Sequence, residues 1–419
     1  MSRSTSRTLL CCVVALVAAL VAPVAASAKA DATDDGQVVR DWTDLAFAAV
    51  RNARAGDAVA ARLYAMVDTA MYDAVNGLSS HPHPSAIVPP STGNAGDRAL
   101  AAARAAYDVL SATFPALQSA YNDQIAEDRL AAKSPGQAKH GEAWGARVAA
   151  AVIAARANDG SQNAQSHPAE SGAGKYRSQW NGMQFKDLAP FAIADPSAYV
   201  TSAPPALDTP EYAVAFNDVK ARGNGNVADP AALATYQYWS LGGGTSQPPG
   251  AWLQVAEAVS SAKALSLDDT ARLFALTSMA LVDTVAPTYS AKDRAFSWRP
   301  ITAIREAETD GNDATTRDPF WNPRGGNSTS PEFWSGHSSF SAAGAAVLAG
   351  FFCDDNIPFT LGTDSGNGAV RSYASFSAAA AEAGASRVLG GLHFEFSNQA
   401  GLAAGRAVAA EVLARDPNC

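Results

Sequence analysis

"PEFWSGHSSFSAAGAAVLAGFF", Pro331 to Phe352, begins as a turn at Pro331 and passes through Ser335-Gly336-His337 into an alanine-rich helix. The first amides of such a helix have no carbonyl one turn earlier to bond, and the positive end of the helix dipole lies behind them. A start of this kind suits an anion: the Ser335 hydroxyl adds a donor, Gly336 lets an oxygen approach the backbone, and His337 is placed to give or take a proton. The tripeptide alone fits a plainer reading equally well, with Ser335 as a helix cap and His337 as a surface histidine.

Outward from this stretch, the same alanine-rich amphipathic pattern recurs at Trp42 to Ala53, Ala58 to Asn76, Arg98 to Thr113, Gly141 to Ala157, Ala231 to Trp239, Trp252 to Leu265 and Asp268 to Val285, with three more helices after position 335. Alternating Val/Ile/Thr runs are not evident, so the expected class is all-α, built of packed helical bundles. No repeat of fixed period is visible. The expected division is an N-terminal helical region over 29–265 and a C-terminal bundle over 266–419 that carries the anion site. Two polar stretches interrupt the helices, His81 to Gly96 and Glu308 to Ser330; the second is a candidate wall or lid, the first a connection.

The first 28 residues read as a secretory signal peptide: Arg3 and Arg7, an apolar run from Leu9 to Ala22, then Ala26-Ser27-Ala28. The run is too short to span a bilayer, and no later stretch is long and uncharged enough, so the expected protein is exported, secreted or periplasmic, without a membrane span. Cleavage leaves 29 basic against 40 acidic side chains, a net charge of −11, which argues against nucleic acid as a partner. Cys353 and Cys419 then remain, able to bridge in an oxidising compartment but too far apart for a cysteine zinc site.

Two further stretches carry chemistry. In "KDRAFSWRPITAIR", Lys292 and Arg299 lie seven apart, which on a continuous helix would place both on one face before Pro300 stops it. In "SRVLGGLHFEFSNQAG", Arg387 and His393 flank Gly390-Gly391, which would break a helix and turn the histidine back. Taken singly, the first reads as two solvated charges and the second as a buried structural histidine. Together, two histidines, two arginines, a lysine and a Ser-Gly helix start make a full set for one tetrahedral oxyanion.

Lys292-x6-Arg299-Pro300, Ser335-Gly336-His337 and Ser386-Arg387-x5-His393 resemble, in order and spacing, the three-part signature of the type 2 phosphatidic acid phosphatase and vanadium-dependent haloperoxidase superfamily. "WRPITAIR", "DGNDATTRDPFWNP", "PEFWSGHSSFSAA", "RVLGGLHFEFSNQAGLAAGRAV" and, upstream, "AMYDAVN" and "ARLFALTSMALVD" are similar to the soluble bacterial haloperoxidase-like branch. The resemblance implies vanadate as cofactor, with hydrogen peroxide and halide as substrates and a hypohalous acid equivalent as product. Lys292, Arg299 and Arg387 would neutralise its oxygens, Ser335 and the Gly336 N–H would donate to them, His393 would bind the metal, and His337 would act as acid/base. The same set could hold phosphate, making the chain a secreted acid phosphatase on a phosphomonoester, with His393 as nucleophile and His337 protonating the leaving group.

The chain departs from the family pattern where an aspartate commonly stands four residues after the last histidine; here it is Ser397, which supplies no charge and leaves His393 less activated. That departure keeps a third reading, a non-catalytic oxyanion-binding relative. Trp334 replaces a usual proline and favours a drier pocket, and the small Ser330 leaves halide preference open. A Cys353–Cys419 bridge would tie the C-terminus to the helix that begins at Ser335-Gly336-His337.

Overall fold

The computed structural model describes residues 36–93, 95–365 and 368–417. The proposed signal peptide and Cys419 lie outside these residues. The helices are α1 Gln37–Ala53, α2 Asp57–Asn76, α3 Arg98–Thr113, α4 Gln118–Ala131, α5 Pro135–Ala155, α6 Pro210–Arg222, α7 Pro230–Tyr238, α8 Gln247–Ala262, α9 Leu267–Asp283, α10 Val285–Ala295, α11 Pro300–Arg305, α12 Gly336–Phe352, α13 Phe376–Leu389 and α14 Glu395–Ala414. The all-α class holds. Local chemistry sets many of the starts: Asp97, Ser134, Thr209, Asp229, Ser266, Ser335 and Ser375 each accept an amide hydrogen bond from the first turn of their helix.

Helices α2 and α9 are buried almost all round and pack on each other, and α9 also meets α12. One apolar core runs from Val39 in α1 to Val412 in α14 and draws on helices from both sides of the turn between α8 and α9. Helix α12 lies between α13 and α14, with α8 and α9 also against it. Residues of α14 approach its first turn closely, because a Cβ on Gly401 would stand 2.5 Å from the Ser335 carbonyl oxygen.

Three expectations need correction. Strands do occur, as two short antiparallel ladders: β1 Ser166–His167 with β2 Trp180–Asn181, and β3 Phe359–Gly362 with β4 Val370–Tyr373. Such runs are too short to show a period of two against a helical background. Helices α4 and α6 join those read from the pattern; α4 buries only Tyr121 and Ile125, so its apolar stripe is faint. Finally, Lys292 and Arg299 do not share a helix: α10 ends at Ala295, Phe296 takes a left-handed conformation (φ 39°), and Arg299 is the N-cap of α11. The aromatic rings of His167 and Tyr176 pack on Phe296, which holds the chain in that break.

Candidate active site

Lys292 reaches the site from the last turn of α10, where its Nζ donates to the carbonyl oxygens of Pro331 (2.7 Å) and Glu332 (3.4 Å). Arg299 reaches it from the start of α11. Its Nε donates to the Ser330 carbonyl oxygen (2.8 Å), one terminal nitrogen donates to the Leu392 carbonyl oxygen (2.7 Å) and to His393 Nε2 (2.9 Å), and the other to Ser330 Oγ and the Pro331 carbonyl oxygen (both 3.1 Å). The polar segment ending at Ser330 therefore supplies a wall of the site. Trp321 and Pro323 of that segment lie against Gly391.

Arg387 and His393 are brought together by the end of α13. Gly391 takes φ +73°, open to glycine at little cost, and the Arg387 carbonyl oxygen accepts the amides of Leu392 (3.0 Å) and His393 (3.4 Å). Arg387 donates to the Trp239 carbonyl oxygen (3.3 Å), stands 5.6 Å from the Tyr236 ring centre, and its Nε makes no hydrogen bond. Ser335 does cap α12: its Oγ accepts from the Ser338 amide (3.3 Å) and lies 2.8 Å from Ser338 Oγ, which is also 2.8 Å from Asn398 Oδ1. An amide oxygen can only accept, so Ser338 gives its proton to Asn398, and the Ser335 proton goes either to Ser338 or to an oxyanion. The amides of Gly336 and His337 fall in the first turn of α12, where no helix carbonyl can take them. Trp334 turns into the core and donates to Thr288 Oγ1 (3.0 Å).

The electrostatics bind these groups into one site. Burial, and then Arg299 beside it, pushes Lys292 well below the usual lysine range. Burial lowers Arg299 and Arg387 to about 10 each. His393 is pushed well below the ordinary histidine value by burial and then by Arg299, Lys292, Arg387 and His337. His337, half-buried, is lowered by burial and then Arg387, against the opposing pull of its hydrogen bond to the Ser240 carbonyl oxygen (3.1 Å). Both rings are neutral near pH 7. Since His337 Nε2 faces an acceptor, it carries the proton, and Nδ1 holds the lone pair.

Sequence reasoning missed Glu332. It is 0% exposed, and its Oε1 accepts from the Phe394 amide (3.0 Å) and stands 2.9 Å from His393 Nδ1. Ser397 Oγ is the other neighbour of that nitrogen, at 3.2 Å. The carboxylate that Ser397 fails to provide thus reaches the same ring nitrogen from another segment of the chain, three residues before Ser335. The only signal was an acid in the turn just ahead of Ser-Gly-His.

An oxyanion fits this donor set. Three buried cations accompany one fully buried carboxylate, Arg387 Nε is unpartnered, and the first-turn amides of α12 have no helix carbonyl to bond. Among the described residues no cluster of three His, Cys, Asp or Glu side chains suits a bare metal cation, and no helix is long and apolar enough to cross a membrane. A separate cleft of about 990 Å³, lined by Phe333, Trp334 and Phe396 among others, contains none of the seven residues assigned to the oxyanion.

Residues 272–417 match the family model described as the VCPO second helical-bundle domain. No curated protein matches the chain. Among solved structures, a bacterial vanadium-dependent iodoperoxidase aligns with TM-score 0.76 at 20% identity, covering 91% of this chain and 97% of its own. A holo-type bacterial vanadium-dependent chloroperoxidase aligns with TM-score 0.65 at 16% identity, covering 86% and 92%. Its apo-type counterpart gives 0.64 at 15%, covering 86% and 94%. Residues 272–417, which hold every residue of the candidate site, therefore match a VCPO-type second helical bundle, and the chain shares the fold of bacterial vanadium-dependent haloperoxidases.

Proposed function

We propose that the chain is an exported, vanadate-dependent haloperoxidase-like enzyme that oxidises halide with hydrogen peroxide. The observation that carries the reading is the orientation of His393. A guanidinium can only donate, so the 2.9 Å approach of Arg299 to Nε2 means that Nε2 holds its lone pair toward the cation cluster, as a ligand to an oxyanion's central atom requires. Lys292, Arg299 and Arg387 spread positive charge over the oxygens, and Ser335 with the Gly336 amide donates to them. Bound vanadate would supply an electrophilic centre that activates peroxide toward halide. His337, neutral and with Nδ1 free to accept, takes or returns the proton. Export rests on the sequence of residues 1–28, and the bundle over 266–419 is the catalytic one.

One observation favours a second reading. The Glu332 carboxylate on His393 Nδ1 also suits a histidine nucleophile, so a secreted acid phosphatase forming a phosphohistidine stands as the alternative. The same carboxylate removes the motive for a non-catalytic relative, which was the lack of an acid at position 397. Purified mature protein given orthovanadate, peroxide and each halide, and in parallel a generic phosphomonoester, separates the readings. Vanadate-dependent halogenation suppressed by phosphate supports the first; phosphate release without halogenation replaces it with the second.

A further inference from the structure

Glu332, the acid on His393, also lines a cavity of about 200 Å³, together with Tyr212, Ser297, Trp298, Phe394 and Phe396 among others. Two of its lining residues have buried polar atoms that complete no hydrogen bond, Glu332 Oε2 and the Tyr212 hydroxyl. Such atoms cost free energy unless solvated, and the space is enough for several waters at about 30 Å³ each. The two oxygens of Glu332 thus have different roles. Oε1 is saturated by the Phe394 amide and the His393 ring, and Oε2 is left to the cavity.

We propose that Glu332 is the positioning residue for His393, fixing the ring as its Nδ1–H tautomer, and that water in the cavity shared with Tyr212 solvates its second oxygen. Arg299 excludes a proton from Nε2, and Glu332 Oε1 receives the one on Nδ1. Ser397 is the weaker partner. Its Oγ stands 3.2 Å from Nδ1, farther than Glu332 Oε1 does, and 3.4 Å from the Glu332 carbonyl oxygen. The arrangement differs from a carboxylate one helical turn after the histidine in that the acid sits on the same segment as Ser335-Gly336-His337. Both ends of the oxyanion site are thereby held by one stretch of chain.

The inference about the tautomer stands without the proposed function; only its consequence for vanadate rests on that reading. Protein labelled with ¹⁵N-histidine is examined by long-range ¹H–¹⁵N correlation, His393 being assigned by the signal lost in H393Q. The wild type should show His393 with a protonated Nδ1 and a bare Nε2. E332Q, whose amide oxygen can still accept, should keep near wild-type vanadate affinity, whereas E332L, in which Arg299 still keeps Nε2 bare but Nδ1–H has lost its carboxylate acceptor, should bind vanadate about 10–100-fold more weakly, with its thermal unfolding monitored as the fold control. A wild-type His393 protonated on Nε2 overturns the proposal, and that spectrum decides even where E332L does not fold. Wild-type vanadate affinity in a folded E332L overturns it as well. Failure of the wild type to bind vanadate defeats the proposed function instead, and leaves the tautomer to decide the role of Glu332.

Discussion

Replacing Gly405 by Ala tests whether the α12–α14 approach builds the site. The added Cβ would stand 2.1 Å from the Ser339 carbonyl oxygen, 2.9 Å from the Ala343 amide nitrogen and 3.0 Å from the Ala342 Cβ. None of these atoms can rotate away, so the helices must part by about 1 Å to restore ordinary contact. Helix propensity favours alanine by about 1 kcal/mol, while overpacking of a tight interface costs about 1–3 kcal/mol and the separation forfeits further packing. The clash wins: G405A should be less stable than the wild type by about 1–2 kcal/mol in equilibrium urea unfolding. The displacement should also reach the site. Ser339 lies one turn beyond Ser335, and its hydroxyl is 3.0 Å from Thr288 Oγ1, which also accepts from Trp334. Vanadate affinity in G405A should therefore fall too. The control is G136A in the first turn of α5, where a Cβ meets nothing within 4 Å, and where the change should be neutral or stabilising by a few tenths of a kcal/mol. A G405A protein as stable as the wild type, or no more affected than G136A, would refute the reasoning.

Other outcomes follow from the same geometry. His337→Ala should leave vanadate or phosphate bound but slow turnover roughly 10²–10⁴-fold, as measured by rate per bound site; loss of binding with unchanged chemistry would exchange the roles of the two histidines. The folded-state value of His393 lies well below its unfolded value, so its stabilising contribution is complete above the unfolded value and is lost as pH falls below it. Between pH 7 and 5 the wild type should lose up to about 2 kcal/mol more than H393Q in urea unfolding, and equal losses would contradict the assignment of a buried neutral ring. Cys353 is disulfide-bonded, and non-reducing peptide mapping should recover its peptide joined to the one ending in Cys419; separate recovery of the two would reject that pairing.

Much of this site could be read from the residues, and the reasons differ from place to place. Ser335-Gly336-His337 and Arg387-Gly390-Gly391-His393 are local devices, a helix start and a helix stop, and local devices show in sequence. The Lys292–Arg299 pair converges by another route than the one its spacing suggests. The left-handed turn at Phe296 is set by aromatic packing on His167 and Tyr176, residues more than a hundred positions upstream. Helix α4 is mostly exposed and β3–β4 is short, so neither leaves a periodic stripe. Glu332 was the most consequential omission, because its hydrogen bond to His393 spans 61 positions and no spacing rule links the two. Ser397 occupied the position where a carboxylate was sought, and the fold delivers that carboxylate to the same nitrogen from a segment 61 residues upstream of His393.

The most direct measurement of the central claim is calorimetric titration of the mature protein with orthovanadate, in the wild type and in H393A, with phosphate as competitor. The account predicts one vanadate per chain, displaced by phosphate, with retention abolished in H393A because His393 Nε2 is the one proposed bond from protein to metal. Undiminished vanadate affinity in a folded H393A protein would contradict it.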